Sequence, residues 1–430
     1  MTAIVGILNK RAAVMAADSA MTVTRGEKTK IYNTATKIFR LSLEHPVGVM
    51  MYNSVEFMGT PWDVIFKIYR DRRGKQVFNT LKEYAMNFID FLNAENYFSS
   101  TDSQKDYFIS ELSRFYYAMK EEVLKEYERR GNGLGEDGEQ EIGGEDLLHD
   151  ILVEQLTRAI PFYEEQGVNP EFEDYTLDNL KSFAHKEFDE LMELCEEEQM
   201  PSDMRGLWEK CFYAYIRSKS YYYGTGIVFE GYGSKDIYPS LIPVYISGAF
   251  DHRMRYYVNE EEAASITNDN RSYICPFAQS DVMLTLLKGI APDFLEKIDE
   301  THQESIASTK QRLIDAAVEA GASDDVIAKM KGVELDEIQN THDEEIMSFI
   351  REEYVNGILD AVDSFSIDDM ANMAESLISV TNLQRHFSSS DESVGGPIDV
   401  AVITRSEGFI WVKHKQWFSQ ELNPQTRVYE

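Results

Sequence analysis

The sequence has few cysteines and few basic residues, and both shortages exclude classes of protein. Its three cysteines, Cys195, Cys211 and Cys275, form no CxxC pair and have no histidine cluster near them. This argues against a disulfide framework or a zinc site and favours a reducing compartment. Lysine and arginine number 42 against 75 aspartates and glutamates, which gives a net charge of −33. Such a surface repels phosphate, so no nucleic acid partner is expected.

Long apolar runs are also missing. No run reaches the roughly 18 residues that a membrane-spanning helix needs. The apolar start of the chain is followed by Lys10 and Arg11, and Asp18 stands where a signal peptide requires small neutral residues. We therefore expect a soluble, cytoplasmic protein that does not contact membranes. The sequence has no phosphate-binding glycine loop and no internal repeat, and we predict no cofactor and no metal site.

What the sequence does contain is short apolar runs in pairs, each pair joined across a polar turn. Such pairs predict β-hairpins. The paired runs are 3–8 with 12–17, 37–41 with 47–52, 224–233 with 237–246, and 397–404 with 408–412. Between the pairs, apolar residues recur at helical spacing. Clusters of strands separated by helical blocks predict an α+β layered sandwich rather than a doubly wound fold.

Two helical blocks are long enough to be insertions into this sandwich. The first is rich in acidic residues and contains a glycine-rich loop near residues 129–138. We expect the core to comprise residues 1–75, 221–290 and 361–430, with a helical acidic insertion at 76–220 and a second helical insertion at 291–360. Both insertions could cover a site, mediate assembly, receive a partner or be inert.

The first candidate for chemistry is the amino terminus. Met1 is followed by Thr2, a small residue that permits removal of the initiator methionine. A free amino-terminal threonine carries a hydroxyl nucleophile and an amine base on one residue. The pKa of an α-amine is about 7.7–8.0, far closer to neutrality than that of a lysine. The amine can therefore take the hydroxyl proton directly or through one water molecule.

The segment from Thr2 to Thr22 resembles the opening of proteasome β-subunits and of the bacterial HslV and Anbu peptidases. Asp18 follows Thr2 by sixteen residues in an Ala-Ala-Asp context, and Thr22 follows four residues later. Lys37, followed by an apolar strand residue, fits the next position of the family pattern. The resemblance covers residues 1–70, 224–290 and 365–415, in the family's order.

This resemblance implies the four-layer α-β-β-α sandwich of N-terminal-nucleophile hydrolases. It also implies that Thr2 is the nucleophile and that its own amine is the general base. Lys37 would lie buried beside that amine, lower its pKa and polarise the hydroxyl. Asp18 would pair with Lys37 and keep it charged despite burial.

The resemblance implies two further members of the catalytic network. Asp391 matches the family's second aspartate, which orients the amino-terminal amine. A serine just before the central helix joins the same network in the family. Ser280 is the candidate for this position, and Gln279 is the competing alignment.

The resemblance also implies the substrate-binding residues. Thr22 matches a threonine whose backbone pairs with the substrate, and backbone N–H groups at Tyr52 or Asn53 would form the oxyanion hole. Met50 falls where the family has the floor of the pocket that binds the substrate residue before the cleaved bond. A methionine at this position predicts that the pocket prefers an apolar residue. The family usually has Gly-Gly where this chain has Tyr52-Asn53, and a serine where it has Val394.

The function predicted on these grounds is threonine-type hydrolysis of peptide or other amide bonds. The expected partners are a peptide or protein substrate and further copies of the chain, since related enzymes form rings; an ATPase or adaptor partner is left open. Three alternatives remain at this stage. They are a catalytically silent scaffold or regulatory protein of the same fold, an amidase acting on non-peptide amides, and a helical adaptor whose strands only resemble the family.

Overall fold

The computed structural model describes residues 2–25, 28–95, 100–132, 144–221, 224–387 and 395–416. The strands are β1 Ala3–Asn9, β2 Ala12–Ala17, β3 Met21–Arg25, β4 Lys28–Tyr32, β5 Ile38–Arg40, β6 Val47–Asn53, β7 Glu56–Phe57, β8 Thr60–Pro61, β9 Thr225–Gly231, β10 Ser240–Phe250, β11 Arg253–Val258, β12 Ala264–Ser265, β13 Ser272–Ala278, β14 Asp399–Thr404 and β15 Gly408–Lys413. The helices are α1 Trp62–Arg73, α2 Leu81–Ala94, α3 Thr101–Asn132, α4 Gly144–Glu165, α5 Leu177–Phe183, α6 His185–Glu197, α7 Arg205–Arg217, α8 Asp281–Lys288, α9 Pro292–Glu319, α10 Asp324–Lys331, α11 Asp336–Ile350, α12 Asn356–Ser364 and α13 Ile367–Phe387.

The described strands form two main antiparallel sheets. The first sheet has the order β13-β1-β2-β14-β15, and the second has the order β11-β10-β9-β6-β5 with β12 paired to β10. All four hairpins expected from the sequence are present, as β1 with β2, β5 with β6, β9 with β10, and β14 with β15. The α+β class is therefore confirmed.

The two sheets face each other across an apolar core. Ile4 and Leu8 of the first sheet pack in the same cluster as Val228 and Leu241 of the second. The outer face of the first sheet is covered by α8 and α13, and the outer face of the second sheet by α1 and α2. Because both faces of each sheet are covered, β1 and β2 are buried along their whole length. This burial explains why their sequences are continuous apolar runs rather than alternating ones.

The first helical block has a core of its own, formed by α3 to α7. It is fastened to the second sheet by an ion pair between Arg255 of β11 and Glu111 of α3, both fully buried, with 2.9 Å between Nη1 and Oε2. We expected the insertion to begin at residue 76. The structure instead packs α2 onto the second sheet with α1, so the separate core begins with α3.

The second helical block, α9 to α12, buries few apolar side chains. Ile314, Ile350 and Val362 are its buried apolar residues among those described. Its last helix belongs with the sheet layer, because Ser272 of β13 donates to the Leu359 carbonyl at 2.7 Å. The second insertion therefore ends within α12. This is a few residues before residue 361, where we expected the core to resume. Among the described helices, none is long and apolar enough to cross a membrane.

Candidate active site

A tight hairpin at the amino terminus brings Asp18 back to the start of the chain. The turn is closed by Asn9, whose Oδ1 accepts hydrogen bonds from the backbone N–H groups of Arg11 at 2.8 Å and Ala12 at 3.2 Å. Antiparallel pairing of β1 with β2 then returns the chain to its origin. There the Asp18 N–H donates to the Ala3 carbonyl at 3.1 Å. The sixteen-residue spacing in the sequence is thus the length of one hairpin.

The Asp18 carboxylate is the centre of a buried hydrogen-bond network. Its Oδ1 accepts from Lys37 Nζ at 2.6 Å and from the Ala3 N–H at 3.0 Å. Its Oδ2 accepts from the N–H groups of Ala20 and Gly395, each at 3.1 Å. The Lys37 ammonium and the first peptide group of β1 therefore share one oxygen atom. The predicted pairing of Asp18 with Lys37 is confirmed; the catalytic roles assigned to both residues stay predictions.

Lys37 lies immediately before β5 and is only 2% exposed. Burial lowers its pKa, and the charge of Asp18 and the bond to it act in the opposite direction without reversing the shift. The nearby Lys415 lowers the pKa further, whereas Asp399 raises it. The site thus contains a desolvated cation that is held by one strong partner.

Thr2 is buried, yet it lines an open cavity of about 400 Å³. Its carbonyl accepts a hydrogen bond from the Gln279 N–H at 3.1 Å, which fixes it against the end of β13. Tyr52, Asn53 and Ser280 line the same cavity. The structure therefore brings four of the predicted site residues, Thr2, Tyr52, Asn53 and Ser280, to one cavity. Tyr52 and Asn53 are the two candidates for the oxyanion hole.

Ser280 and Gln279, the two alternatives for the serine position, both line this cavity. Ser280 precedes α8, and its side chain makes no capping hydrogen bond to that helix. Its N–H donates to the Ala278 carbonyl at 2.9 Å, and Ala278 has a φ of 63°. This turn at the end of β13 places both residues at the wall of the cavity that Thr2 lines, so the choice between them stays open.

Tyr52 and Asn53 stand at the end of β6. Asn53 has a φ of 69°, in the left-handed region that asparagine tolerates better than most residues. The Tyr52 ring lies over Gly226 of β9, where an added Cβ would meet Tyr52 Cζ at 2.1 Å. Gly226 therefore permits the close approach of the Tyr52 ring to β9.

The structure does not place Met50 at the cavity. Met50 is fully buried in the core between the two sheets and is absent from the cavity wall. Side chains two residues apart on a strand share a face, so Met50 and Tyr52 both point toward the first sheet. Of these two residues, only Tyr52, nearer the end of β6, reaches the cavity. The predicted apolar pocket floor is therefore not at Met50.

Two predicted residues cannot be compared with the geometry. Asp391 lies outside the described residues, as does Val394. Thr22 is in β3, where its backbone is opposite Ile31 of β4, and its side chain lies outside what the structure describes. The roles given to Asp391 and Thr22 stay predictions.

Sequence reasoning missed a second, partly buried ion pair next to the first. Asp399 is 1% exposed and lies opposite Ala17 in the first sheet. It contacts Lys415 Nζ, accepts from the Lys415 N–H at 2.9 Å, and has His414 Nδ1 at 3.1 Å. Burial alone would raise the pKa of Asp399, but these bonds lower it below the usual value. The sequence signal for this pair was Asp399 itself, a single carboxylate at the start of an otherwise apolar strand.

A group of potential metal ligands lies away from the cavity, between α9 and α11. Asp299, His342 and Asp343 each have a ligand atom within 4.8 Å of the others. The His302 ring stacks on that of His342 with centroids 3.6 Å apart. No local sequence pattern marks this group, because Asp299 is far along the chain from the adjacent pair His342 and Asp343.

A comparison with protein-family models and with curated proteins finds no match to this chain.

Proposed function

We propose that the protein is a threonine-type N-terminal-nucleophile hydrolase that cleaves peptide or other amide bonds. The observation that carries the proposal is the shared oxygen of Asp18. It receives both the buried Lys37 ammonium and the Ala3 N–H, next to a Thr2 that lines a cavity. The Lys37 ammonium is joined through one carboxylate oxygen to the residue that follows Thr2, at a cavity that Thr2 lines, and this supports the proposal.

The proposed chemistry begins with the removal of Met1, which leaves a free amine on Thr2. This amine takes the proton from Thr2 Oγ as the oxygen attacks the carbonyl carbon of the substrate. The proton passes to the leaving amine, and an ester forms between Thr2 and the acyl group. Water then attacks the ester carbonyl while the Thr2 amine accepts a proton from it. The bond between the acyl carbon and Thr2 Oγ breaks, the amine returns the proton to Oγ, and the acyl group leaves as a carboxylic acid. The positive charge of Lys37 favours the neutral form of the amine, which is the active base.

The arrangement of layers supports the same proposal. Helices cover the outer face of each sheet, and the sheets pack face to face, as the α-β-β-α sandwich of N-terminal-nucleophile hydrolases requires. The nucleophile lies at the end of a strand in the first sheet, and the cavity opens where both sheets end. The two sheets argue against the alternative of a helical adaptor.

A covalent probe for amino-terminal threonine tests the proposal. An epoxyketone or β-lactone should label the wild-type protein and the control Thr309→Ala, whose altered residue is exposed on α9. It should not label Thr2→Ala, and peptide mapping of the wild-type adduct should find the probe on Thr2. Equal labelling of wild type and Thr2→Ala would refute Thr2 as the nucleophile.

A catalytically silent scaffold is the second candidate, because the Tyr52 side chain stands at the cavity where the family has glycine. Mass spectrometry of the intact protein separates the two candidates. A chain that retains Met1 has no free Thr2 amine and favours the scaffold.

For an active protein, comparing the turnover of fluorogenic peptides with that of acyl amides distinguishes a peptidase from a small-molecule amidase. Sedimentation of the purified protein tests the proposed homo-oligomer.

A further inference from the structure

The cavity beside Thr2 has an aromatic wall. The Tyr52 ring stacks on Phe277 with centroids 5.8 Å apart and meets Tyr245 edge-on at 6.0 Å. Tyr257 stacks behind Tyr245 at 5.0 Å and holds that ring in place. Tyr52, Tyr245 and Phe277 all line the cavity. Aromatic faces and edges held in this way form a preorganised surface rather than a set of mobile side chains.

A carboxylate lies at the end of a directed hydrogen-bond chain along this wall. The Tyr52 hydroxyl donates to the Tyr245 hydroxyl at 2.6 Å, which donates to Glu262 Oε2 at 3.3 Å. Glu262 lines the cavity and is partly buried. Burial raises its pKa, although the bonds from Tyr245 and Asn259 act against that shift. The carboxylate is therefore oriented by its neighbours and partly desolvated.

Glu262 has no cationic partner in the part of the chain that the structure describes. No lysine, arginine or histidine that the structure describes has a side-chain nitrogen within 4.0 Å of its carboxylate oxygens, and no residue that lines the cavity is basic. A partly buried carboxylate without a counter-ion carries a desolvation cost that a bound cation would offset. The surrounding tyrosine and phenylalanine rings would add cation–π attraction.

We propose that this cavity binds a cationic side chain, the ammonium of lysine or the guanidinium of arginine, next to the bond that Thr2 cleaves. The assignment of a cleaved bond rests on the proposed function, whereas the binding of the cation does not. An anionic side chain would meet the charge of Glu262, and an apolar one would leave that charge unpaired. The cavity volume of about 400 Å³ lies within the usual range for small-ligand sites, which is roughly 300–1,000 Å³.

Binding to a protein that cannot turn over substrate tests this proposal directly. In a Thr2→Ala background, fluorescence polarisation measures the affinity of labelled peptides that differ only in one residue: lysine, arginine, norleucine or glutamate. We expect the lysine and arginine peptides to bind at least about tenfold more tightly than the norleucine peptide, a difference of about 1.4 kcal/mol. Equal affinity for lysine and norleucine, or no saturable binding of the lysine peptide, would overturn the proposal.

Two further variants assign the preference to Glu262. Glu262→Gln should remove it, and Glu262→Lys should reverse it in favour of the glutamate peptide. Glu261→Gln is the matched control, because Glu261 is adjacent and exposed and does not line the cavity; it should keep the preference. A preference that survives in Glu262→Gln would contradict the proposal. Failure of the covalent probe on wild type would refute the hydrolase alone, since the binding measurement does not depend on turnover.

Discussion

At the scale of single residues, the site depends on a buried charge pair whose energetic and chemical roles can be separated. Lys37 and Asp18 are both almost fully buried, with 2.6 Å between Nζ and Oδ1. Removing one partner of such a pair leaves the other uncompensated. Replacing both by neutral residues of similar size is often close to neutral for stability. The proposed chemistry, by contrast, needs the positive charge itself.

We therefore predict that Lys37→Met destabilises the fold by about 3–5 kcal/mol and abolishes labelling of Thr2 by the probe. The double variant Lys37→Met with Asp18→Asn should regain much of that stability and still not be labelled. Denaturant unfolding and probe labelling measure the two effects. Lys82→Met, altered on the exposed surface, is the control. Recovery of labelling in the double variant would show that the charge of Lys37 is dispensable.

Glu230 is a second residue whose burial has a measurable consequence. It is fully buried on β9 between the sheets, against Gly6 of β1, where an added Cβ would meet Glu230 Oε1 at 2.0 Å. Neither of its carboxyl oxygens has a hydrogen-bond partner among the described residues. Burial raises its pKa well above the usual value, so the folded protein holds this proton when the unfolded chain has released it.

The sign of the resulting pH dependence follows from linkage. The contribution of Glu230 is most favourable below the unfolded pKa of about 4.3 and is lost as the pH rises toward the higher folded pKa. We predict that Glu230→Gln gains stability relative to wild type between about pH 5 and about pH 8. Thermal or urea unfolding at both pH values measures the gain, with the exposed Glu260→Gln as control. A pH-independent difference would contradict the raised pKa.

At the scale of secondary-structure elements, the local hairpins could be predicted and the long-range strand partners could not. The apolar runs on either side of Asn9 predict one hairpin. The proximity of Asp18 to Thr2 could therefore be predicted from the sequence. The edge strand β13 was missed because it contains Pro276, which is acceptable at a sheet edge but argues against a strand in sequence. Without β13, the neighbours of Thr2 could only be inferred from the resemblance.

The charged strand β11 shows a different limit. Arg255 is fully buried there, and an arginine in a short run predicts exposure rather than a core position. Its partner Glu111 lies 144 residues earlier in the chain, on α3. Glu262 and Tyr245 were missed for the same reason: their position at the cavity depends on the packing of the second sheet against β13, which no local pattern encodes.

The close packing of β6 on β9 gives a prediction at this scale. Gly226→Ala should push the Tyr52 ring away from β9, because the new Cβ would meet Tyr52 Cζ at 2.1 Å. We expect a loss of about 1–3 kcal/mol in unfolding free energy and weaker binding of the lysine peptide. Adding Tyr52→Leu should restore the stability but not the binding. Gly206→Ala on α7, where an added Cβ meets no atom within 4 Å, is the control and should be nearly neutral.

At the scale of the whole molecule, the net charge of −33 acts over a longer range than any one contact. A strongly negative surface attracts cations before they touch the protein and so raises their association rate. Salt screens this attraction, with a Debye length of about 10 Å at 0.1 M ionic strength. A single carboxylate inside a cavity acts mainly after docking, on the rate of dissociation.

These two contributions should separate in the kinetics of peptide binding. In the Thr2→Ala background, we predict that the association rate of the lysine peptide falls steeply as salt is raised from about 0.05 M to about 0.5 M. Glu262→Gln should show nearly the same salt dependence, because it removes one of 75 acidic residues, but a faster dissociation at every salt concentration. Stopped-flow fluorescence measures both rates. An association rate that does not respond to salt would show that the acidic surface does not guide the peptide, whereas unchanged dissociation in Glu262→Gln would remove Glu262 from the binding site.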